Sequence, residues 1–306
     1  MTDHNGTDHN ATDHNAAVVG VVGLGIMGSA MAGHLLARGP VLGVDVAPER
    51  SREFAAAGGT VLDSVVALAR RADVVITSLP GPAAAEQVCA EIAVAGRPGL
   101  VVVETSTLSL RTKRGCRDVL APTGTVLLDC PLSGTGAQAL ERDLVVLGSG
   151  DAAAFESVRA VLEVVARSVR HLGPFGNGTT MKLVANLLVA IHNAATAEAF
   201  ALGVRAGLDP QQLYDTVREG AGGSVIFDRR GRLMVDRAYV PPTARVSMFV
   251  KDVGLVQELA RTVAVPTPVL DATLPLYEQA VRQGLADADA AALLEVLDGD
   301  APAGPQ

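Results

Sequence analysis

Tryptophan is absent from this chain, and aromatic residues make up only 3% of its 306 residues. That leaves little platform for stacking nucleic acid bases, and a formal net charge of −8 offers no broad cationic surface to a phosphate backbone. Nucleic acid is therefore not an expected partner. Cysteine is scarce as well. Cys89, Cys116 and Cys130 are far apart, show no metal-ligand spacing and are odd in number. They predict reduced core thiols in a cytoplasmic protein, no metal site, and no catalytic thiol, since no partnering base is evident. Long apolar runs are missing too: none reaches the ~18 residues of a membrane span. The nearest, Thr179 to Ala197, is broken by Lys182, Asn186, His192 and Asn193. A soluble protein with no membrane partner is expected. The N-terminus lacks the basic and apolar regions of a signal peptide. Instead, Thr2 to Ala16 repeats a pentapeptide, TDHNG-TDHNA-TDHNA. A period of five matches neither a helix face nor a strand face. Residues 1–16 are expected to be a disordered polar tail, with adventitious divalent-metal binding by His4, His9 and His14 as the sharper alternative.

What is present is a chain 49% hydrophobic and long enough for two domains of ~150 residues. Ala17 to Leu24 is a β-branched run ending in glycine, as expected of a buried parallel strand. Val41–Val44, Val74–Thr77, Leu100–Val103 and Val126–Leu128 read as further strands, with helices near Pro82–Ala93 and Leu110–Leu120 between them. This alternation predicts an α/β fold, an N-terminal Rossmann-type doubly wound sheet. After about Gly178 the strand signals stop. One long helix is expected over Thr179–Gly207, then others near Pro210–Glu219, Ile226–Val235, Val246–Thr262, Ala272–Arg282 and Asp289–Leu297. The chain thus divides into a dinucleotide-binding domain at 17–178, an all-α C-terminal domain at 179–298 and a flexible Gly/Pro-rich tail at 299–306.

Gly23-Leu24-Gly25-Ile26-Met27-Gly28 lies between the first strand and the first helix. A lone GxGxxG is weak evidence, but strand before and helix after are the context it needs. Gly23 permits the tight turn, Gly25 lets backbone approach a pyrophosphate, and Gly28 lets helix and strand pack closely. Asp45, at the end of the second strand and 20 residues past Gly25, is placed to accept from the ribose hydroxyls of an adenosine. An acid there favours NAD, while Arg50 and Arg52 nearby keep NADP possible. A glycine turn without a ligand is the alternative.

Lys182 is the only formal charge from Thr179 to Ala197, and Asn186 follows it by one helical turn. Asn193 continues the stripe. Desolvation would lower the lysine pKa from its usual ~10.4 toward neutrality and make it a proton donor and acceptor. The bland alternative is a lysine that snorkels to solvent near the helix start.

These residues bring the chain close to a known family. It resembles the β-hydroxyacid dehydrogenases, which include 3-hydroxyisobutyrate dehydrogenase and, more distantly, 6-phosphogluconate dehydrogenase. The likeness spans about Val18 to Leu297. It rests on the glycine loop followed by Met31-Ala32, on Leu79-Pro80, on Thr105-Ser106-Thr107, on Asp129 to Gly134, on Lys182-x-x-x-Asn186 and on Lys251-Asp252. The resemblance implies Gly23 to Gly28, Asp45, Leu79, Pro80, Thr107 and Lys251 as cofactor contacts. It implies Ser133, Gly134 and Thr135 as carboxylate-binding residues, and Lys182 with Asn186 as the catalytic pair. Thr135 stands where the family usually has glycine, which narrows the pocket or adds a hydroxyl donor. Gly223 to Phe227, Arg230 and Phe249 to Asp252 look most like members acting on four-carbon sugar acids such as L-threonate, although Val225 replaces an aromatic residue. The implied activity is NAD(P)-dependent interconversion of a small 3-hydroxy carboxylate and its carbonyl form, on an anionic hydroxy-acid or aldehyde-acid substrate. An exposed Lys251 in an ordinary surface ion pair, an imine reductase-like enzyme and a non-catalytic NAD(P)-binding regulatory protein are the alternatives. The last two would be expected to lose Lys182. Burial against a second subunit is expected, because the long helix is apolar almost all round and must be covered, and the resemblance implies a homodimer or homotetramer.

Overall fold

A computed structural model describes residues 17–299. The TDHN repeats of 1–16 and the tail past Gly299, both expected to lack fixed structure, lie outside the described residues. Strands β1 (Val19–Val22), β2 (Val41–Val44), β3 (Thr60–Val61), β4 (Val74–Thr77), β5 (Val101–Glu104) and β6 (Val126–Asp129) pair in parallel in the order β3-β2-β1-β4-β5-β6. Helices α1 (Ile26–Leu36), α2 (Pro48–Ala56), α3 (Val65–Arg71), α4 (Pro82–Ala95) and α5 (Leu110–Leu120) make the crossovers. β1, β4 and β5 are buried along their whole length, so they read as continuous Val/Ile runs and not as alternating ones. Val21, Ile76 and Val103 face a core shared with Met31, Leu35 and Phe54, whereas Val22, Val75 and Val102 face one shared with Leu68, Ile92 and Leu120. Both faces of the sheet are therefore covered. Ser64 and Ser109 cap α3 and α5 through hydrogen bonds from Ala67 and Thr112 amides.

A second, three-stranded sheet follows that the sequence reading did not anticipate: β7 (Leu132–Ser133), β8 (Val145–Gly148) and β9 (Ser168–His171), with α6 (Gly136–Leu140) and α7 (Ala152–Val165) between them. β7 runs antiparallel to β8, and β9 parallel to it. From there the described chain is helical: α8 (Asn177–Arg205), α9 (Pro210–Glu219), α10 (Val225–Asp236), α11 (Val246–Thr262), α12 (Pro268–Arg282) and α13 (Leu293–Gly299).

α8 is 29 residues long and, with a mean hydropathy of 1.5 over its most apolar window, passes the length and composition test for a membrane span. The interrupting polar residues do not prevent this, as the sequence reading had supposed. The helix is nevertheless the centre of a helical core, packed by α10, α11, α12 and α13. Asn193, read as continuing the Lys182 stripe, belongs to that core. It is fully buried, and its Nδ2 donates to Tyr277 Oη at 3.0 Å and to the Ala290 carbonyl at 3.0 Å.

Candidate active site

Parallel strands end on one side, so the sheet delivers five separate segments to a single edge: Gly23–Gly28 after β1, Asp45 after β2, Leu79-Pro80 after β4, Thr105–Thr107 after β5 and Cys130–Thr135 after β6. The strand order reverses between β1 and β4, and there Gly23 meets the start of the β4–α4 loop. Its φ is +88°, and a Cβ would lie 2.2 Å from the Ser78 carbonyl oxygen. A Cβ on Gly28 would lie 1.8 Å from the Gly23 carbonyl oxygen, so α1 can approach β1 only with glycine there. Gly25 differs: a Cβ would meet nothing within 4 Å. The start of α1 has no side-chain cap and no acid in its first turn. Open space before uncapped helix amides fits a diphosphate.

Asp45 is held by that loop. Its Oδ2 accepts from the Leu24 amide at 2.6 Å and its Oδ1 from the Ala47 amide at 2.8 Å. A carboxylate has about four lone-pair sites, so capacity for ribose hydroxyls is left. Leu24 itself is 1% exposed, and it packs under the loop with its amide already taken. Arg50 is paired with Glu53 at 2.9 Å.

The β4–α4 and β5–α5 loops are joined, because the Leu79 amide donates to Ser106 Oγ at 2.8 Å. Across from them, Lys251 Nζ on α11 donates to the Thr107 carbonyl at 3.3 Å. Pro80, Thr107 and Lys251 line one cavity of about 640 Å³. Lys251 is exposed and also pairs with Asp252 at 3.3 Å, so the surface ion pair and the contact with the Thr107 loop coexist.

A second cavity of about 420 Å³ brings Ser133, Gly134 and Thr135 together with Lys182 and Asn186. Gly134 has φ +145° and Leu144 would collide with a Cβ there at 2.5 Å, so glycine is required. Thr135 has φ −98° and ψ 170°, extended backbone open to any residue, which explains why glycine is dispensable. Its hydroxyl accepts from the Gln138 amide and its own amide donates to Gln138 Oε1, closing a capping box on α6. The glycine loop abuts this segment, since a Cβ on Gly136 would come within 2.6 Å of Ile26 Cγ2. The cavity wall carries four cations, Arg167, Lys182, Arg229 and Arg230, against the carboxylates Asp143 and Asp252.

Lys182 is half-buried on the first turns of α8. Burial depresses its pKa, Asp252 works in the opposite direction, and Lys251 depresses it further. Asp252, which the sequence reading left out of the site, accepts from Asn186 Nδ2 at 2.9 Å. Burial raises its own pKa against the pull of Lys251 and Lys182. The adjacency of Lys251 and Asp252 was visible in the sequence, but not that the carboxylate turns to Asn186.

A buried cluster behind the site also escaped notice. Lys113 of α5 is fully buried, with Nζ 2.7 Å from Glu104 Oε2 and 2.7 Å from Asp129 Oδ1. Burial alone would lower its pKa, but the two carboxylates outweigh that and hold it above the ordinary lysine value. Glu104 accepts from the Ser106 amide, and Asp129 accepts from the amide and hydroxyl of Thr179. One ammonium thus ties the Thr105–Thr107 loop, the Cys130–Thr135 segment and the start of α8.

A switch-point glycine loop, an acid at the end of β2 and a lysine cavity beside them are the features of a dinucleotide-dependent oxidoreductase. Known proteins agree. Residues 18–173 match the NAD binding domain of 6-phosphogluconate dehydrogenase, and residues 176–297 match the NAD-binding region of NADP-dependent 3-hydroxyisobutyrate dehydrogenase. The chain belongs to the β-hydroxyacid dehydrogenase family. It is 35% identical to an L-threonate dehydrogenase of Pectobacterium atrosepticum, over 84% of this chain and 86% of that one. It is 32% identical to an NAD-dependent L-serine dehydrogenase of Pseudomonas aeruginosa, over 87% and 93%. A solved 3-hydroxyisobutyrate dehydrogenase from Salmonella typhimurium is 32% identical and superposes with a TM-score of 0.80 over 92% of this chain and 99% of that one. That of Mycobacterium tuberculosis with L-serine is 27% identical with a TM-score of 0.86 over the same shares.

Proposed function

We propose that this enzyme interconverts a small 3-hydroxy carboxylate and its carbonyl form with NAD(P), and that Lys182 moves the proton. The observation that carries the reading is the shared cavity: a lysine with a depressed pKa faces the Ser133–Thr135 segment beside a dinucleotide loop. The bound nicotinamide supplies the hydride acceptor or donor. Gly23 to Gly28, Asp45, Leu79, Pro80, Thr107 and Lys251 would hold the dinucleotide across residues 17–178 and the edge of α11. Ser133, Gly134 and Thr135 would hold the substrate carboxylate, and Arg229 on the cavity wall, bonded to the neutral Gln138, would attract the anion. In oxidation, Lys182 as neutral amine takes the hydroxyl proton. In reduction, its ammonium returns one. Asn186, fixed by Asp252, holds the reacting oxygen. Asp45, with Arg50 already paired, favours NAD over NADP. L-threonate is the first acid to try, since the L-threonate dehydrogenases are 35% identical. The helical part, residues 179–298, would complete the substrate cavity and carry a homodimer or homotetramer contact. Buried, unpaired thiols support a cytoplasmic location.

The test is formation of reduced cofactor from NAD⁺ or NADP⁺ across L-threonate, L-serine, 3-hydroxyisobutyrate and D-glycerate, with wild type and Lys182→Met. Turnover with at least one acid is expected. The variant should lose about 10²–10⁴-fold in kcat while still binding NAD(H). Undiminished turnover in Lys182→Met would remove the lysine from the mechanism.

A further inference from the structure

Arg230 of α10 lines the same cavity as Ser133 and Lys182 yet is 5% exposed. A guanidinium this deep must be compensated, and the compensation is one-sided. Nη1 alone makes its two contacts, to Thr243 Oγ1 at 2.7 Å and to Asp289. Nη2 makes no hydrogen bond among the described residues and, unlike Nε, which is enclosed without an acceptor, is not sealed off. Asp289 is fully buried and is itself well held, by the amide and hydroxyl of Thr243 and by the Ala291 amide. The ring of Phe249, 6.0 Å from the guanidinium carbon, packs against the group and also lines the cavity. A fixed arginine with an unused donor is built to meet an oxygen.

We infer that Arg230 donates a hydrogen bond to a hydroxyl on the substrate, one distinct from both the carboxylate and the reacting hydroxyl. The selected acids are thus polyhydroxylated. Asp289 already balances the Arg230 charge, so the pair offers N–H groups and no net charge. That suits a neutral hydroxyl and not a second carboxylate. The inference rests on the hydroxy-acid reading above and specifies its substrate class.

The experiment compares kcat/KM for L-threonate, with three hydroxyls on four carbons, against 3-hydroxybutyrate, with one, and against malate, with a second carboxylate. Wild type should prefer L-threonate by about tenfold or more. Arg230→Lys retains the charge opposite Asp289 but loses the fork. It should lower kcat/KM for L-threonate by about 10–100-fold and leave 3-hydroxybutyrate within about threefold. Should that variant fail to fold, Thr243→Val, which loosens the guanidinium, should show the same selective loss. Equal losses on both acids, or a wild type that prefers 3-hydroxybutyrate or malate, would overturn the inference while leaving the dehydrogenase reading intact. A wild type inert on every hydroxy acid would overturn both.

Discussion

In the proposed mechanism the protonation of Lys182 is set by three influences, of which burial is the largest. Burial and Lys251 push its pKa down, and Asp252 pushes it up. Oxidation needs the neutral amine, so kcat/KM in that direction should rise with pH through the Lys182 pKa and level off above it. Asp252→Asn removes the group that raises this pKa, so the rising limb should move to lower pH. Lys251→Gln removes a like charge, so the limb should move to higher pH. The measurement is log kcat/KM against pH for the three proteins. Shifts of the same sign would mean that the observed limb belongs to another group or to the coupled set as a whole.

At the scale of elements, Lys113 does what no surface pair does. It joins β5, α5, β6 and, through Asp129 and Thr179, the first turn of α8. Removing one partner of a buried ionic cluster strands the rest in low dielectric. Lys113→Met should therefore destabilise the fold by about 3–5 kcal/mol, read as a lower urea midpoint at unchanged slope. Glu53→Gln, which breaks the exposed pair with Arg50, should change stability by less than about 1 kcal/mol. Similar costs for the two would contradict the burial argument.

For the molecule as a whole, α8 presents a second face. While Leu183, Ala190 and Ala194 enter the helical core, Met181, Val184 and Leu188 stand about half exposed along the opposite side. Their spacing of three and four residues makes a continuous apolar stripe. In the proposed assembly a second copy covers it. Gel filtration should give a mass of at least twice the 31.3 kDa of one chain, and Leu188→Arg should lower it. A wild type running as a monomer would remove the stripe from any subunit contact.

Much of this was legible along the chain. β2, β4, α5, α9 and α11 begin and end where their patterns do, and the glycine loop, Asp45 and the Lys182–Asn186 pair are local spacings that backbone geometry converts into shared faces and turns. α7 is equally legible, with Phe155, Val158, Leu162 and Val165 on one face behind the Asp151 cap. β7 has two residues and no period to read; it forms because β8 supplies its hydrogen bonds. The same holds for the charges. Nothing near Lys113 or Arg230 in the sequence announces that each is buried, because burial depends on what distant segments cover it. The sequence by itself determined the dinucleotide fold and the identity of its chemical groups. Only the tertiary structure decided which of those groups lose water, and so which carboxylate answers which cation, since desolvation and pairing are settled between segments that meet in space and not along the chain.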